Sequence, residues 1–414
     1  MKIGLVTACY KPLINGVTHM VSLMKDYLED AGHEVTVFTL GEPDPAGEEA
    51  GVVRSPGIPV GDTGYYFGFR YSSHAQELLR QMEIIHCHHL FMSVEMAHRY
   101  GRCPIVYTNH TRYDLYTGAY TALPQPAADA IMRQVWPDFT DYCDVVVTPS
   151  ESVRRVMLEF GVRRPIKVIE NGIELDRFHR TEQAAARRQL QITGEKTRLI
   201  YVGRLSSEKN LETLLAQFAI VQNMVPEVEL ILVGQGPARD DLKKLARELE
   251  IAASVRFTGS VPYEDVPHWL AAADMFVTAS LSEVHPLTVI EAMAAGLPVV
   301  APASPGITDT VKSGEMGFLT DFTDGGLAAG MAALTLNPDL RRQMGCAARD
   351  GSRLYDIRRT IEKTMDLYER LRQERPDLTR DKPHGGWRNY AERVQPMIEQ
   401  LAGLLRPPDG RRDG

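Results

Sequence analysis

The sequence has few of the features that mark disulfide-rich or zinc-binding proteins. Its five cysteines, Cys9, Cys87, Cys103, Cys143 and Cys346, are odd in number and contain no CxxC pair. This pattern argues against a disulfide framework and against a cysteine zinc site. We therefore expect the thiols to be reduced and mostly buried.

Long uncharged apolar runs are also missing, and no stretch approaches the length that a helix needs to span a bilayer. The N-terminus enters a strand directly, without a charged and then apolar signal segment. We therefore expect a cytoplasmic protein.

An excess of positive charge is missing as well. The formal net charge is −8, and residues 1–175 carry 15 Lys and Arg against 21 Asp and Glu. This balance gives no electrostatic reason to bind nucleic acid. The 44% hydrophobic and 24% charged composition is that of a globular protein, and 414 residues are too many for one ordinary core. Two domains are expected.

Two common ligand-binding signatures are absent or incomplete. No GxGxxG motif occurs, so a dinucleotide site of the dehydrogenase type is disfavoured. The run His86-Cys87-His88-His89 resembles a metal-ligand cluster, but no carboxylate lies nearby in the sequence to complete it. We expect no metal ion there.

Strands and helices alternate along both halves of the chain. A first strand at 2–8, a helix at about 17–31 and a second strand from Gly32 form a βαβ unit, and a similar series starts at Arg198. The strand runs are continuously apolar, which is typical of parallel strands covered on both faces. The sequence therefore predicts an α/β fold with doubly wound sheets, whereas residues 41–73, rich in Gly, Pro and acidic residues, predict an irregular excursion.

Composition also suggests where the domains meet. The charged segment near 181–196 is typical of a linker. We predict one domain over 1–175, a second over 176–372, and a C-terminal extension over 373–414 that contains a short helix and a polar tail.

The stretch from Ser282 to Ala301, SEVHPLTVIEAMAAGLPVVA, carries two carboxylates with seven residues between them. Glu283 is expected on a loop and Glu291 on the first turns of a helix, whose N-terminal amides carry partial positive charge. This arrangement suits a ligand with hydroxyls and phosphates. The alternative is a pair of solvated glutamates.

A second stretch, Gly203 to Asn210 (GRLSSEKN), leaves a strand and opens a helix. Arg204 and Lys209 would bring a guanidinium and an ammonium to the same helix N-terminus, which is the combination that best binds a diphosphate. The alternative is a solvated charge pair.

Three weaker candidates lie in the first half of the chain. Gly16 is at a loop-to-helix junction, where a missing Cβ lets a phosphate or sugar approach the backbone, although a turn alone would also explain it. His110 follows a strand and could donate a hydrogen bond to a sugar, or be a structural histidine. Aromatic residues that could stack on a substrate are Tyr113, Tyr116, Tyr120 and Trp136.

With GRLSSEKN and SEVHPLTVIEAMAAGLPVVA in this order, the sequence resembles glycosyltransferase family 4, the retaining nucleotide-sugar transferases of GT-B fold. The resemblance extends to INGVTHMVSLMKDYLEDAGHEV near the start and NGIELDRF at the hinge. YTNHTRYDLYTGAY further resembles the branch of bacterial diacylglycerol glucosyltransferases. The resemblance implies two Rossmann-like domains facing a central cleft, an acceptor-binding and then a donor-binding one, with the C-terminal helix packing back on the N-terminal domain.

The resemblance also assigns roles to residues of the second domain. Arg204 and Lys209 match the side chains that hold the donor diphosphate and stabilise the leaving group. Glu283 matches the first glutamate of the family motif, which contacts hydroxyls of the donor sugar. Glu291 matches the second glutamate, which holds the ribose.

Four further positions match donor-side contacts of the family. Leu287 and Thr288 match backbone donors near the sugar or phosphate, and Gly16 matches the glycine of the N-terminal loop. His110 resembles a cleft histidine that approaches the transferred sugar. Pro286 stands where many members have glycine, so the amide contacts of that loop differ from the family pattern.

The implied reaction is transfer of a hexose, from UDP-glucose or a related UDP-hexose, to a hydroxyl acceptor with formation of an α-glycoside. No cofactor is implied, and no metal is needed if Arg204 and Lys209 supply the charge. A lipid and a small-molecule acceptor remain open. A lipid would favour peripheral contact with the inner membrane surface through a basic cluster, although a solvated helix face is the alternative. The cluster comprises Arg154, Arg155, Arg163, Arg164 and Lys167.

Two other functions remain as alternatives. A UDP-sugar epimerase of the same architecture would convert a donor without an acceptor. A catalytically silent sugar-nucleotide binding protein would be expected to have lost at least one of Arg204, Lys209, Glu283 and Glu291, and all four are present. The sequence gives no indication of the oligomeric state.

Overall fold

A computed structural model describes residues 1–13, 15–45, 47–60, 64–112, 125–179, 181–281, 283–321 and 325–374. The chain divides into two compact units. Unit 1 comprises Met1–Ile169 together with the chain from Ile361 onward, and unit 2 comprises Glu170–Thr360. The predicted C-terminal tail and Tyr113, Tyr116 and Tyr120 lie outside the described residues.

Unit 1 contains a sheet in which all neighbouring strands are parallel, in the order β3-β2-β1-β6-β7-β8-β9. A separate antiparallel pair is formed by β4 and β5. The strands are β1 (Lys2–Val6), β2 (Glu34–Leu40), β3 (Val52–Ser55), β4 (Ile58–Pro59), β5 (Tyr66–Phe67), β6 (Ile84–Cys87), β7 (Ile105–Thr108), β8 (Val145–Thr148) and β9 (Ile166–Val168). The α-helices described in unit 1 before Ile169 are α1 (Gly16–Asp30), α2 (Ser73–Leu79), α3 (Glu95–Tyr100), α4 (Gln125–Thr140) and α5 (Glu151–Glu159).

Unit 2 contains a second parallel sheet, in the order β12-β11-β10-β13-β14-β15. Its strands are β10 (Thr197–Val202), β11 (Val228–Val233), β12 (Val255–Gly259), β13 (Met275–Val277), β14 (Val299–Pro302) and β15 (Gly317–Thr320). The following helices are α6 (Leu175–His179), α7 (Gln183–Gln189), α8 (Leu211–Met224), α9 (Arg239–Glu248), α10 (Val266–Ala272), α11 (Leu287–Ala294), α12 (Pro305–Thr308), α13 (Gly326–Leu336), α14 (Pro338–Ser352) and α15 (Ile357–Glu374).

The sheet of unit 2 is covered on both faces, as the continuous apolar runs predict. Successive residues of β10 point to opposite faces, so Leu199 and Tyr201 belong to one apolar cluster while Ile200 and Val202 belong to the other. Parallel strands joined by helices on both faces give the doubly wound architecture that the sequence predicts. Polar side chains are thereby directed to the edges where strands end.

The excursion predicted at 41–73 is partly regular, and that prediction is wrong for β3 and for the short strands β4 and β5. Val37 of β2 pairs with Val52 of β3, so this segment adds the edge strand of the unit 1 sheet. Its apolar signal is only Val52-Val53, between Gly51 and Arg54, and is too short to show a strand period.

Helix α15 begins in unit 2, and its part from Ile361 onward belongs to unit 1. Tyr368 of this helix is fully buried, and its hydroxyl lies 2.6 Å from Nδ1 of His86. The final helix therefore packs on the N-terminal unit as the resemblance implies. The division at Ile361 differs from the boundary at 372 that the sequence predicts. The helix passes from unit 2 to unit 1 at Ile361, and nothing in its helical periodicity marks that position.

The five cysteines all lie in the described residues and form no disulfide. Four are buried and Cys346 is exposed, which confirms that they are mostly buried. None of the helices described here combines the length and apolar composition needed to cross a bilayer.

Two turns at the carboxyl edge of the unit 2 sheet touch backbone to backbone. Gly203 follows β10 and Gly234 follows β11, and both have positive φ angles, of 153° and 141°. A Cβ at Gly234 would lie 1.9 Å from the carbonyl oxygen of Gly203. The close approach of these turns therefore requires glycine at position 234 and fixes the backbone just before Arg204.

We expect Gly234→Ala to destabilise unit 2 by at least about 2 kcal/mol, because the added Cβ meets the Gly203 carbonyl and the backbone is left-handed. Gly194→Ala is the matched control, since Gly194 also has a positive φ but no atom within 4 Å of an added Cβ. Urea unfolding of both variants measures the difference. Equal losses of stability would contradict the close-contact explanation.

Candidate functional site

The segments singled out by sequence in unit 2 leave the carboxyl ends of parallel strands and so lie along one edge of the sheet. Arg204 follows β10, and α11 follows the loop after β13. The Arg204 side chain is exposed, and its backbone carbonyl accepts a hydrogen bond from the Tyr201 hydroxyl at 3.1 Å. Its guanidinium is therefore accessible to a ligand at this edge.

Lys209 and Glu283 form an ion pair at this edge. Lys209 ends a short 3₁₀ turn, Ser207–Lys209, and Asn210 then adopts a left-handed conformation with φ of 52° before α8 starts. Lys209 Nζ lies 2.7 Å from Glu283 Oε1, and the side chains are 19% and 20% exposed. The fold thus joins the two stretches that the sequence singled out separately, and leaves both charges partly open to a ligand.

The ion pair determines the charge of Glu283. Burial raises the pKa of this carboxyl, but the Lys209 ammonium, its hydrogen bond and the Ser280 hydroxyl together lower it by more, so the pKa lies below its ordinary value. Glu283 is therefore ionised at neutral pH. The site presents one anion and one cation side by side, which suits a ligand that has both hydroxyls and phosphates.

Glu291 is placed in a different environment, although it lies on the same motif. Its side chain is 3% exposed on α11, and Oε1 accepts a hydrogen bond from the Tyr263 hydroxyl at 3.0 Å. Burial raises the pKa of Glu291 to about 7, and the Tyr263 hydrogen bond lowers it in part. At neutral pH this carboxyl is therefore about half protonated.

Helix α11 starts at Leu287, directly after Pro286, and carries Glu291 as the sequence predicts. The first helical hydrogen bonds run from the amides of Val289 and Ile290 to the carbonyl of Pro286, at 3.0 and 3.1 Å. The amides of Leu287 and Thr288 precede these bonds and form the N-terminal end of the helix. Ser282, the first residue of the stretch that carries the two glutamates, lies outside the described residues.

Gly306 holds the loop that carries Glu283. A Cβ at Gly306 would lie 2.3 Å from the Glu283 carbonyl oxygen and 2.7 Å from that of Val284. The start of α12 therefore packs directly on the Glu283 backbone. This contact fixes the carboxylate that meets Lys209.

In unit 1, Gly16 is the first residue of α1, which has a capping box. The Asn15 side chain accepts hydrogen bonds from the amides of Val17 and Thr18, both at 2.9 Å, and the Thr18 hydroxyl accepts from the Asn15 amide. This capping accounts for the helix start at Gly16. Gly16 therefore has the junction position that the sequence predicts.

His110 belongs to a group of three histidines in unit 1. Its Nε2 lies 3.1 Å from Nδ1 of His88, and the His88 ring stacks on that of His86 with centroids 4.4 Å apart. Burial lowers the pKa of His88 well below its ordinary value. These rings come from the run that resembles a metal cluster, yet among the described residues no group of three or more His, Cys, Asp and Glu is arranged to hold a metal ion.

Trp136 was expected to line a substrate surface, and that prediction is wrong. Its side chain is 0% exposed on α4 and packs edge to face on Phe160, with ring centroids 5.7 Å apart. An apolar ring on an amphipathic helix is more stable in the core, and the sequence spacing alone did not separate the two locations.

The basic cluster of unit 1 is largely paired with acids. Arg154 lies 2.6 Å from Glu151, Arg163 forms an ion pair with Asp141, and Arg164 lies 3.7 Å from the same aspartate. This pairing reduces the local positive charge. It favours the solvated-face interpretation of the cluster over an anionic-membrane contact.

Two partner residues were missed by the sequence reasoning. Tyr263 binds Glu291 from 28 positions upstream, and His88 binds His110 from 22 positions upstream. Neither pair has a characteristic spacing. His88 and His110 follow the neighbouring strands β6 and β7, whereas Tyr263 and Glu291 are brought together by the packing of elements after β12 and β13, which are not neighbours in the sheet. No signal in a single sequence would have identified them as partners.

Two family models match the chain. The model described as Glycosyltransferase Family 4 matches residues 14–177, and the model described as Glycosyl transferases group 1 matches residues 182–351. Together they match residues 14–351 except 178–181.

Curated relatives and a solved structure are similar over most of the chain. An alpha-monoglucosyldiacylglycerol synthase from Streptococcus pneumoniae is 33% identical over 82% of this chain and 80% of its own length. The enzyme of the same name from Acholeplasma laidlawii is 29% identical over 72% of this chain and 80% of its own. The structure of Anabaena HepE in complex with UDP-glucose has a TM-score of 0.72 at 19% identity, covering 89% of this chain and all of that one. This last likeness concerns the fold alone.

We expect the stability of the protein to depend on pH through Glu291. Folding raises the pKa of this carboxyl to about 7. Its contribution to the free energy of unfolding is therefore fully present when the pH is below the ordinary pKa of glutamate, and it is lost as the pH rises through 7. Between pH 5 and pH 8, the free energy of unfolding of wild type should fall by up to about 3 kcal/mol relative to that of Glu291→Gln. Urea unfolding at the two pH values measures this change.

Glu248→Gln is the control, because Glu248 is exposed on α9 and pairs only loosely with Lys244 at 3.8 Å. Its stability relative to wild type should change little between the two pH values. A Glu291→Gln difference that is the same at pH 5 and pH 8 would show that the buried carboxyl does not take up a proton on folding.

Proposed function

We propose a specific reaction for this chain, which belongs to glycosyltransferase family 4, has the GT-B fold and is a glycosyltransferase. The proposed reaction is transfer of glucose from UDP-glucose to the free hydroxyl of diacylglycerol, with retention of configuration. The product is an α-glucosyl diacylglycerol.

The ion pair of Lys209 and Glu283 is the observation that supports this reaction best. The pair sets an ammonium beside an ionised carboxylate at the edge where Arg204 is exposed and α11 begins, and these are the groups that a diphosphate and sugar hydroxyls would need. In the proposed complex Arg204 and Lys209 bind the diphosphate and Glu283 accepts hydrogen bonds from the glucose hydroxyls. The amides of Leu287 and Thr288 donate to the same ligand, and Glu291 holds the ribose.

The proposed transfer breaks the bond between C1 of glucose and the β-phosphate oxygen, and UDP leaves with the bonding electrons. The acceptor oxygen bonds to C1 on the same face, and its proton passes to the released phosphate. The main catalytic contribution is stabilisation of the departing diphosphate by Arg204 and Lys209. We propose that these two cations make a metal ion and a cofactor unnecessary.

Two residues of unit 1 complete the proposal. Gly16, at the capped start of α1, leaves room for the ligand to approach the backbone, and His110 donates a hydrogen bond to the transferred sugar. Both roles follow the family resemblance. The contact of His110 with His88 supports the second, because it holds the ring in one orientation.

A lipid acceptor is supported by the two relatives named as alpha-monoglucosyldiacylglycerol synthases. An enzyme with this substrate acts on a membrane surface. We therefore propose peripheral contact with the cytoplasmic face of the membrane, made by a surface other than the paired arginines of α5 and the loop that follows it.

The assay offers four donors, UDP-glucose, UDP-galactose, UDP-N-acetylglucosamine and GDP-mannose, with either diacylglycerol in vesicles or inositol 3-phosphate in solution. We expect turnover with UDP-glucose and diacylglycerol, an α-linkage in the product by NMR, and no loss of rate in EDTA. Turnover with the soluble acceptor alone would contradict the lipid proposal. Conversion of a donor without any acceptor would identify an epimerase, and nucleotide binding without turnover a silent protein.

We expect Arg204→Ala and Lys209→Ala each to lower kcat by at least about 100-fold, because each removes a charge that stabilises the leaving diphosphate. Lys244→Ala is the matched control. Its ammonium is 70% exposed on α9 of the same unit and pairs with Glu248. Steady-state kinetics with UDP-glucose and diacylglycerol vesicles measures the effect.

Circular dichroism and urea unfolding should show that all three variants keep the wild-type fold. If Arg204→Ala or Lys209→Ala folds normally and turns over at the wild-type rate, the proposed roles of these cations are wrong.

A further inference from the structure

The contact between Tyr263 and Glu291 affects the charge of the proposed ribose subsite, which depends on pH. Tyr263 precedes α10 and Glu291 lies on α11, so the two side chains meet only through the packing of unit 2. The Tyr263 hydroxyl lies 3.0 Å from Oε1 of Glu291. No other hydrogen bond and no ion pair to the Glu291 carboxyl is found among the described residues, and the ammonium of Lys209 pairs with Glu283.

A buried carboxylate without a cation is unstable in its charged form. Tyr263 is the partner that favours ionisation, because a phenol can donate to a carboxylate and its own pKa is raised by burial and by the Glu291 charge. One oxygen of Glu291 is thereby turned toward Tyr263. The remaining lone pairs, including those of Oε2, can accept two further hydroxyls.

The other titratable side chains around α11 do not replace Tyr263 as the hydrogen-bond donor to the Glu291 carboxylate. Helices α6, α10 and α14 and strand β14 pack against α11. The Arg177 guanidinium lies 5.9 Å from the centre of the Tyr263 ring, and Arg349 donates to the Ala295 carbonyl at 2.9 Å. Other titratable side chains on these elements are Asp176 and His179 of α6, His268 of α10, and Asp339, Arg341, Arg342, Cys346 and Asp350 of α14. Strand β14 carries none.

The ribose of a nucleotide offers two neighbouring hydroxyls, which are donors that an ionised carboxylate accepts on adjacent lone pairs. A protonated carboxyl has one oxygen that donates and so accepts such a pair less well. Binding of the nucleotide therefore favours loss of the proton from Glu291 to solvent. The same linkage makes nucleotide affinity rise with pH across the titration of this group.

We propose that Tyr263 is a positioning residue that holds Glu291 as an ionised acceptor for the two ribose hydroxyls, and that nucleotide binding releases one proton from this carboxyl. The proposal rests on the proposed function for the identity of the ligand. It goes beyond that function in naming Tyr263 and the proton that accompanies binding.

Calorimetric titration of the full chain with UDP-glucose tests the proposal, because both phosphates of this ligand are esterified and neither takes up a proton near neutral pH. Titrations in buffers of different ionisation enthalpy give the number of protons released. At pH 6 we expect release of close to one proton, and an affinity about tenfold weaker than at pH 8.5. Glu291→Gln should release no proton and show no such pH dependence.

Tyr263→Phe removes the hydroxyl and keeps the ring. Its affinity for UDP-glucose should be about tenfold weaker than wild type at pH 6 and about fivefold weaker at pH 7, and should approach wild type at pH 9, because loss of the hydrogen bond raises the pKa of Glu291. A purely structural role of Tyr263 would instead weaken binding equally at every pH. Tyr355→Phe is the control, since Tyr355 is buried in the same unit and packs on His285.

Each outcome decides one claim. Affinity that is independent of pH in wild type, or an equal loss in Tyr263→Phe at all pH values, overturns the proposal and leaves the transferase function standing. Failure of wild type to bind any of the four sugar nucleotides at any pH overturns the proposed function. In that case the pH-dependent stability of wild type and Tyr263→Phe still reports whether Tyr263 controls the charge of Glu291.

Discussion

The ion pair between Lys209 and Glu283 is the interaction on which the rest of the candidate site depends. It joins a turn that follows β10 to a loop that follows β13, and these strands are neighbours in the sheet of unit 2. The Glu283 loop is further held by Gly306, whose missing side chain lets α12 pack on the Glu283 backbone. Without the pair, a half-buried carboxylate would have no cation, and the loop that precedes α11 would lose its link to the Arg204 turn.

The two glutamates of one motif are placed in opposite electrostatic conditions. Glu283 is beside an ammonium and is ionised, whereas Glu291 is buried beside a neutral hydroxyl and has a pKa of about 7. The difference is one of environment, since the residue type is the same. A site that binds both charged and hydroxyl-rich parts of a ligand needs an electrostatic environment of each kind. One carboxylate balances a cation and the other accepts hydrogen bonds where water is excluded.

The histidines of unit 1 show how the same residue types can indicate different chemistry in sequence and in structure. The run from His86 to His89 looks like a set of metal ligands when it is read as a string. In the fold, His86 lies between the hydroxyls of Tyr368 and Thr108, both at 2.6 Å, and His88 meets His110. Burial lowers the pKa of His86 and His88, so these rings are neutral hydrogen-bonding groups.

The sequence by itself determined the architecture and the family, because continuous apolar strands require sheets covered on both faces and the stretches GRLSSEKN and SEVHPLTVIEAMAAGLPVVA have a specific order and composition. It also identified Arg204, Lys209, Glu283 and Glu291 as candidates. Only the tertiary structure decided that Lys209 binds Glu283, that Tyr263 binds Glu291 and that Trp136 is in the core. These contacts join residues from different strands and helices, and their distances depend on packing between elements that no local pattern records.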